Sequence, residues 1–129
     1  MIELKIDTRF EHGYTIVTPK GEVDLSTVES FRAVLNELFI QGRSHLLVDL
    51  DQTTFLDSLG FGALVGARRR AYALNGSLGI VCSNERILRL FEVTALDRVF
   101  LITTTAKLQP TRVPVDTIET VGPARSTVA

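Results

Sequence analysis

Short apolar runs alternate with segments of helical spacing along this chain, and this order limits the possible folds more than any other feature. The apolar runs cover residues 45–50, 78–82 and 99–102. Runs of this length suit strands that are buried on both faces of a parallel sheet. The alternation of helix and strand therefore predicts right-handed crossovers between parallel strands.

The N-terminal segment carries a different pattern. Residues 2–6 and 14–18 each alternate apolar with polar side chains, and Glu11-His12-Gly13 lies between them. Alternation on both sides of a turn signal predicts an antiparallel hairpin, which Pro19 and Gly21 are expected to end. Hairpin and crossovers together predict one α/β domain with a mixed sheet.

Three helices are predicted from apolar stripes and end signals. Ser26-Thr27-Val28-Glu29 fits a capping box, and Gly42 is placed to end the first helix. The second helix is expected to begin near Ser58 and to stop at Asn75-Gly76, and the third to run from a cap at Ser83 or Asn84 to about residue 92. The stripe of the first helix is Val28, Phe31, Val34, Leu35, Leu38 and Phe39, and that of the second is Leu59, Ala63, Leu64 and Ala67.

Charge and residue content exclude several classes of function. The formal net charge of -1 gives no long-range attraction toward nucleic acid or an anionic membrane. No basic segment followed by an apolar stretch begins the chain, and no apolar run approaches the ~20 residues of a membrane span, so we expect a cytoplasmic protein. Cys82 is expected to be a buried thiol. His12 and His45 are isolated, so no metal site and no cofactor are predicted.

The chain is expected to divide near residue 106. Residues 1–106 carry the predicted elements and form one domain, whereas residues 107–129 are rich in Thr, Val and Pro and lack aromatic side chains. The prolines at 110, 114 and 123 oppose regular structure. Residues 107–129 are therefore predicted to be a flexible tail whose removal leaves the domain folded.

The segment Phe55-Leu56-Asp57-Ser58-Leu59-Gly60-Phe61-Gly62 places a hydroxyl at the start of the second helix. Backbone N–H groups and the positive end of the helix dipole converge at such a position, which suits either a serine cap or a phosphate. Two glycines in a first turn cost roughly 1 kcal/mol each against alanine. Close approach by the backbone of another protein is one requirement that would explain them.

The sequence supports an enzymatic role for this segment less well than a contact with another protein. Gly60 to Gly66 resembles a loosened dinucleotide fingerprint, but residues 51–56 separate the glycines from the preceding strand. A hydrolase would need a histidine base for Ser58, and no spacing selects one. Asp24, Asp49, Asp51 and Asp57 could collect Mg²⁺, but solvation is the commoner fate of such side chains. We therefore predict that the chain is not an enzyme.

Three segments together resemble a known family. Asp57-Ser58-Leu59-Gly60-Phe61-Gly62 is similar to the signature of STAS-domain anti-sigma factor antagonists, and Gly21-Glu22-Val23-Asp24 is similar to the segment that precedes the first helix in that family. Arg86 through Phe100 resembles the last helix and closing strand. The resemblance covers about residues 2–105, in the family's order.

The resemblance implies a fold and a mechanism. The fold is a single STAS domain with helices mainly on one side of the mixed sheet. The unmodified protein would capture an anti-sigma factor, usually a serine kinase with a histidine-kinase-like ATPase fold, and so free a sigma factor. The kinase would phosphorylate Ser58 and the complex would separate, until a PP2C-type phosphatase resets the protein. The implied partner-binding residues are Asp24, Asp57, Ser58, Leu59, Gly60, Phe61 and Gly62.

Two positions depart from the family pattern. Leu59 stands where the family usually has serine or threonine, and Ala95 stands where glycine is common. Leu59 leaves open a member that binds its partner without being phosphorylated. The alternative function is therefore a STAS scaffold, an interaction module of a stress-sensing or other complex without a phosphorylation switch.

Overall fold

The computed structural model describes residues 3–104, which form six strands, three α-helices and one 3-10 turn. The predicted tail at 107–129 lies outside the described residues. The strands are β1 Lys5–Glu11, β2 Tyr14–Val23, β3 His45–Asp49, β4 Thr53–Leu56, β5 Ser77–Val81 and β6 Ile102–Thr103; the helices are α1 Val28–Ile40, α2 Ser58–Ala73 and α3 Glu85–Val93, and the 3-10 turn is Leu96–Arg98.

The strands form one mixed sheet. Its order is β1-β2-β3-β5-β6, and β4 pairs with the end of β2. Only β1 and β2 run antiparallel among the described strands, while the other neighbours are parallel. The predicted mixed sheet with an N-terminal hairpin and crossovers is confirmed.

The hairpin turns at His12 and Gly13, whose φ angles of 53° and 85° are both positive, as a tight two-residue turn requires. The predicted strand bounds were wrong at two points. β1 begins at Lys5, and β2 continues past Pro19 to Val23. Gly21 adopts a φ of +127° where the register shifts, so the strand bends and its pairing passes from β3 to β4.

Two other strand predictions need correction. β4 was not predicted, because Thr53–Leu56 is short and its buried side chains lie only at its two ends. The last strand lies at Ile102–Thr103 rather than at residues 99–102, because the 3-10 turn and the buried Phe100 occupy the preceding chain. Ala95 opens that turn with a φ of 62°, a conformation that glycine adopts without strain.

The capping box predicted for α1 is wrong. Thr27 is the residue before the helix, but its side chain makes no capping bond. The Ser26 hydroxyl instead donates to Asp24 Oδ1 at 2.8 Å, and the Thr27 hydroxyl donates to the Glu22 carbonyl at 2.7 Å. Both hydroxyls therefore organise the turn between β2 and α1.

The other helix ends follow their predicted signals. Gly42 has a φ of 85° and its N–H donates to the Phe39 carbonyl, which ends α1. Asn75, with a φ of 64°, follows α2. Of the two predicted caps of α3, the structure uses Asn84, whose side chain accepts from Arg86 N–H at 2.9 Å.

The helices pack on one face of the sheet. Their buried side chains form a single cluster with alternating strand residues, and those strand residues are Val17, Val23, Leu46, Val48, Leu56, Leu78 and Ile80. Phe91 of α3 extends the cluster, with edge-to-face contacts to Phe61 and Phe100. The prediction of helices mainly on one side is confirmed. Cys82 is buried in the same cluster, and burial raises the pKa of its thiol.

No helix among residues 3–104 is long and apolar enough to cross a bilayer. Within the same part of the chain, no group of three or more His, Cys, Asp or Glu side chains is arranged to hold a metal ion.

Candidate partner-binding site

The site lies where β2 and β4 end side by side. Val23 and Leu56 are paired across these parallel strands, and the Asp57 N–H donates to the Val23 carbonyl at 3.2 Å. Asp24 and Asp57 are the next residues along their strands. The two aspartates therefore emerge at the same carboxyl end of the sheet, Asp57 immediately before α2 and Asp24 in the turn that leads to α1.

Asp57, rather than Ser58, caps α2. Its backbone is extended, with φ of −96° and ψ of −174°, and its Oδ1 accepts from Gly60 N–H at 3.0 Å. Ser58 is the first helical residue and is exposed. Its hydroxyl makes no hydrogen bond with any residue from 3 to 104, so the capping role considered for Ser58 is corrected and the hydroxyl is left accessible.

We expect Asp57→Ala to lower the free energy of unfolding by about 1 kcal/mol, since the Gly60 N–H loses its acceptor. Ser58→Ala should change it by less than about 0.5 kcal/mol, as for an ordinary surface substitution. Urea unfolding of the two variants beside the unmodified protein measures both effects. Equal losses in the two variants would show that both side chains cap the helix.

Asp24 is held as an anion by its own turn. Its Oδ1 accepts from the hydroxyl and the N–H of Ser26 and from the hydroxyl of Thr27. The Ser26 hydroxyl contributes most to lowering the pKa of Asp24 below its usual value, against a smaller opposing effect of desolvation. The Asp24 carboxylate is therefore negatively charged at neutral pH and is fixed at the end of β2, the strand that pairs with β4.

The two glycines of the signature occupy their positions for different reasons. A Cβ on Gly60 would lie 2.5 Å from Leu56 Cδ1 and 3.1 Å from Val23 Cγ1, so any larger residue would force Leu56 and Val23 to shift where α2 starts over the paired strand ends. A Cβ on Gly62 would approach nothing closer than Arg32 Nη2, at 3.9 Å, and Gly62 is exposed. Packing within the domain therefore explains Gly60 but not Gly62.

Phe61 also belongs to the core. Its side chain is 6% exposed, and its ring meets the Phe91 ring edge-on with centroids 5.0 Å apart. Because Gly60 and Phe61 are buried, they hold α2 in place, and their contact with a partner stays a prediction. The exposed or half-buried members of the predicted set are Asp24, Asp57, Ser58, Leu59 and Gly62.

Three exposed apolar side chains lie in the chain segments around the site, and we define Leu25, Phe55 and Leu59 as the apolar rim. These side chains are 76%, 48% and 37% exposed, respectively. Leu25 follows Asp24, Phe55 precedes the last residue of β4, and Leu59 follows Ser58. All three therefore belong to the segments that meet where β2 and β4 end. The sequence placed Leu59 on the buried stripe of α2 and did not select Leu25 or Phe55, because apolar residues beside strands and helices are usually buried.

The comparisons with known proteins agree with this architecture. The STAS-domain family profile matches residues 5–112 of this chain. A Staphylococcus aureus protein named anti-sigma-B factor antagonist is 32% identical over 95 residues, which cover 74% of this chain and 88% of the relative.

Solved structures share the fold. An anti-sigma factor antagonist from Mycobacterium paratuberculosis superposes with a TM-score of 0.71 at 22% identity, covering 78% of this chain and 85% of that one. The Bacillus cell fate determinant SpoIIAA in its phosphorylated form superposes with a TM-score of 0.62 at 20% identity, covering 80% of this chain and 95% of that one. These structures share the fold, and the family profile and the Staphylococcus relative show that the chain belongs to the STAS-domain anti-sigma factor antagonist family.

Proposed function

We propose that this protein binds an anti-sigma factor of the serine-kinase type while Ser58 is unmodified, and releases it when Ser58 is phosphorylated. It would act in the cytoplasm by binding alone, with no turnover of its own, and would thereby make a sigma factor available for transcription. The observation that carries the proposal is the exposed Ser58 at the start of α2, whose hydroxyl makes no hydrogen bond within residues 3–104, in the chain segments that also carry Asp24, Asp57 and the apolar rim.

The names of the relatives support the class of partner. The Staphylococcus protein is named an antagonist of an anti-sigma factor, and SpoIIAA was solved in a phosphorylated form. We assign the same class of partner to this chain because the surface around Ser58 suits a protein contact. A kinase with a histidine-kinase-like ATPase fold would modify Ser58, and a PP2C-type phosphatase would restore it.

The chemistry of the site suits a protein surface more than a small molecule. Exposed apolar side chains surrounded by charge are typical of the buried centre and polar edge of protein interfaces. The rim offers apolar anchors, while Asp24 and Asp57 favour basic groups on the partner. Gly62 lets a partner backbone approach α2, since Gly62 is exposed and, among residues 3–104, a Cβ there would meet only Arg32 Nη2, at 3.9 Å.

Leu59 has a specific place in this proposal. In the position where the family usually has a hydroxyl, this chain has a half-exposed apolar side chain next to Ser58. We propose that Leu59 packs against the partner and leaves Ser58 as the acceptor of the phosphate. If the chain were instead a scaffold without a switch, Leu59 would still contact the partner but Ser58 would never be modified.

We expect Leu59→Arg to weaken capture of the partner by at least tenfold without changing the thermal midpoint, because a bulky cation would replace an apolar anchor at an exposed position. Ile40→Arg is the matched control, since Ile40 is exposed at the far end of α1. Immobilised protein would be incubated with native cytoplasm and the captured proteins identified by mass spectrometry.

An ATPase-fold serine kinase captured by the unmodified protein and by Ile40→Arg, but not by Leu59→Arg, would support the proposed function. Subunits of a large stress-sensing complex in place of the kinase would favour the scaffold. Equal capture by Leu59→Arg and Ile40→Arg would show that the partner binds elsewhere on the domain.

A further inference from the structure

The strand β1 forms one edge of the sheet. Among residues 3–104 it pairs with β2 alone, along all seven of its residues, and it contains no proline. The outer side of such a strand presents backbone N–H and C=O groups in an extended row, which can pair with another strand. Many proteins prevent pairing at such an edge by placing like charges or prolines on the strand.

The charges on β1 alternate in sign. Lys5, Asp7, Arg9 and Glu11 are all exposed and share one face of the strand, opposite Lys20, Thr18, Ile16 and Tyr14 of β2 in the hairpin register. This face is the one without helices, because the core residue Val17 points the other way. The helix-side face of β1 carries Ile6, Thr8 and Phe10, and Phe10 is 62% exposed.

We propose that β1 pairs antiparallel with β1 of a second copy of this chain, centred on Thr8, so that the two sheets join into one. Lys5 of each copy then faces Glu11 of the other, and Asp7 of each copy faces Arg9 of the other. Each of these two pairs of opposite charges therefore occurs twice in the dimer. On the other face, Ile6 lies opposite Phe10 and covers part of its exposed ring. The contact is self-complementary, as a two-fold symmetric interface requires.

In neighbouring registers of the two β1 strands, the charges no longer face opposite charges. A shift of two residues in one direction places Lys5 opposite Arg9 and Asp7 opposite Asp7, while the reverse shift places Asp7 opposite Glu11 and Arg9 opposite Arg9. A shift of one residue sets the charged face against the apolar face. The alternating charges of β1 therefore favour a single register of pairing between two copies. A strand with charges of one sign would disfavour pairing in every register.

The ion pairs within one copy do not prevent this exchange. Arg9 contacts Glu11 at 3.2 Å and Asp7 contacts Lys20, and the side chains in both pairs are exposed. Exposed ion pairs of this kind contribute little to the stability of the domain, so their side chains can exchange partners. Because one seven-residue strand makes a small interface, we expect a weak dimer that forms as the concentration rises.

The test uses two charge reversals, Asp7→Arg and Arg9→Asp. Each variant alone places like charges opposite each other twice, so its self-association should fall about tenfold or more. In an equal mixture, a dimer with one copy of each variant regains opposite charges at every position. The introduced arginine then faces the introduced aspartate, and the unchanged Arg9 of one copy faces the unchanged Asp7 of the other. Sedimentation equilibrium over roughly a hundredfold concentration range measures each association constant.

The expected result is dimerisation of the unmodified protein, loss in each variant, and recovery in the mixture to within about threefold of the unmodified protein. Glu92→Arg, an exposed charge reversal on α3, is the control and should dimerise normally. Thermal melts of each variant show that the domain is folded. A monomer at every concentration, single variants that associate like the unmodified protein, or a mixture no better than its components would each overturn the proposal.

Discussion

Phe61→Ala is expected to lower the free energy of unfolding by about 3–5 kcal/mol, a large fraction of the stability of a domain of this size. The ring is almost fully buried in the signature segment and meets the Phe91 ring edge-on. Its removal loses apolar burial and an aromatic contact, and it leaves a cavity between α2 and α3. Chemical denaturation at equilibrium measures the loss.

Phe55→Ala is the matched control for this experiment, because Phe55 lies two residues before the signature and is 48% exposed. We expect it to cost less than about 1 kcal/mol, while it removes one member of the apolar rim. A loss from Phe61→Ala no greater than that from Phe55→Ala would contradict the core role assigned to Phe61.

Periodicity predicted the order of the main elements because buried faces leave a direct trace in the sequence. The stripe of α1 and the apolar runs of β3 and β5 are examples. β4 left no such trace, because it is four residues long and pairs with β2 only from Gly21 onward, where the register shifts. The pairing that creates it depends on a bend in another strand, which local pattern does not contain.

The signature residues were found from the sequence, but their roles were not separable there. Asp57 and Ser58 are both good caps by residue type, and only the backbone geometry shows that Asp57 accepts from Gly60 N–H. Gly60 and Gly62 look equivalent in the sequence, yet the first is required by Val23 and Leu56 and the second faces solvent. Such assignments depend on which neighbours the fold brings close.

Phosphorylation of Ser58 is expected to weaken binding of the anti-sigma partner by roughly 10³-fold to 10⁴-fold, or about 4 to 5.5 kcal/mol. A phosphoserine adds ≈ −1.5 to −2 charge at pH 7. In the complex this charge would lose water against the apolar rim and lie close to Asp24 and Asp57. Desolvation and like-charge repulsion therefore both oppose binding.

The same phosphate should leave the unbound domain nearly as stable as before. Ser58 is exposed and its hydroxyl makes no bond within residues 3–104, so modification breaks no contact there. The positive end of the α2 dipole favours the added charge, while the Asp57 carboxylate opposes it. We expect a change in the free energy of unfolding of less than about 1 kcal/mol, measured by urea unfolding of the phosphorylated protein.

Calorimetric titration of the purified anti-sigma kinase with three forms of this protein tests the proposed switch most directly. The forms are unmodified, stoichiometrically phosphorylated on Ser58, and Ser58→Ala, and each is first shown to be folded by thermal melting. We expect similar affinity for the unmodified and Ser58→Ala forms and at least a thousandfold weaker binding of the phosphorylated form. Equal affinity of the phosphorylated and unmodified forms would contradict the proposed switch and leave Ser58 without a role in release.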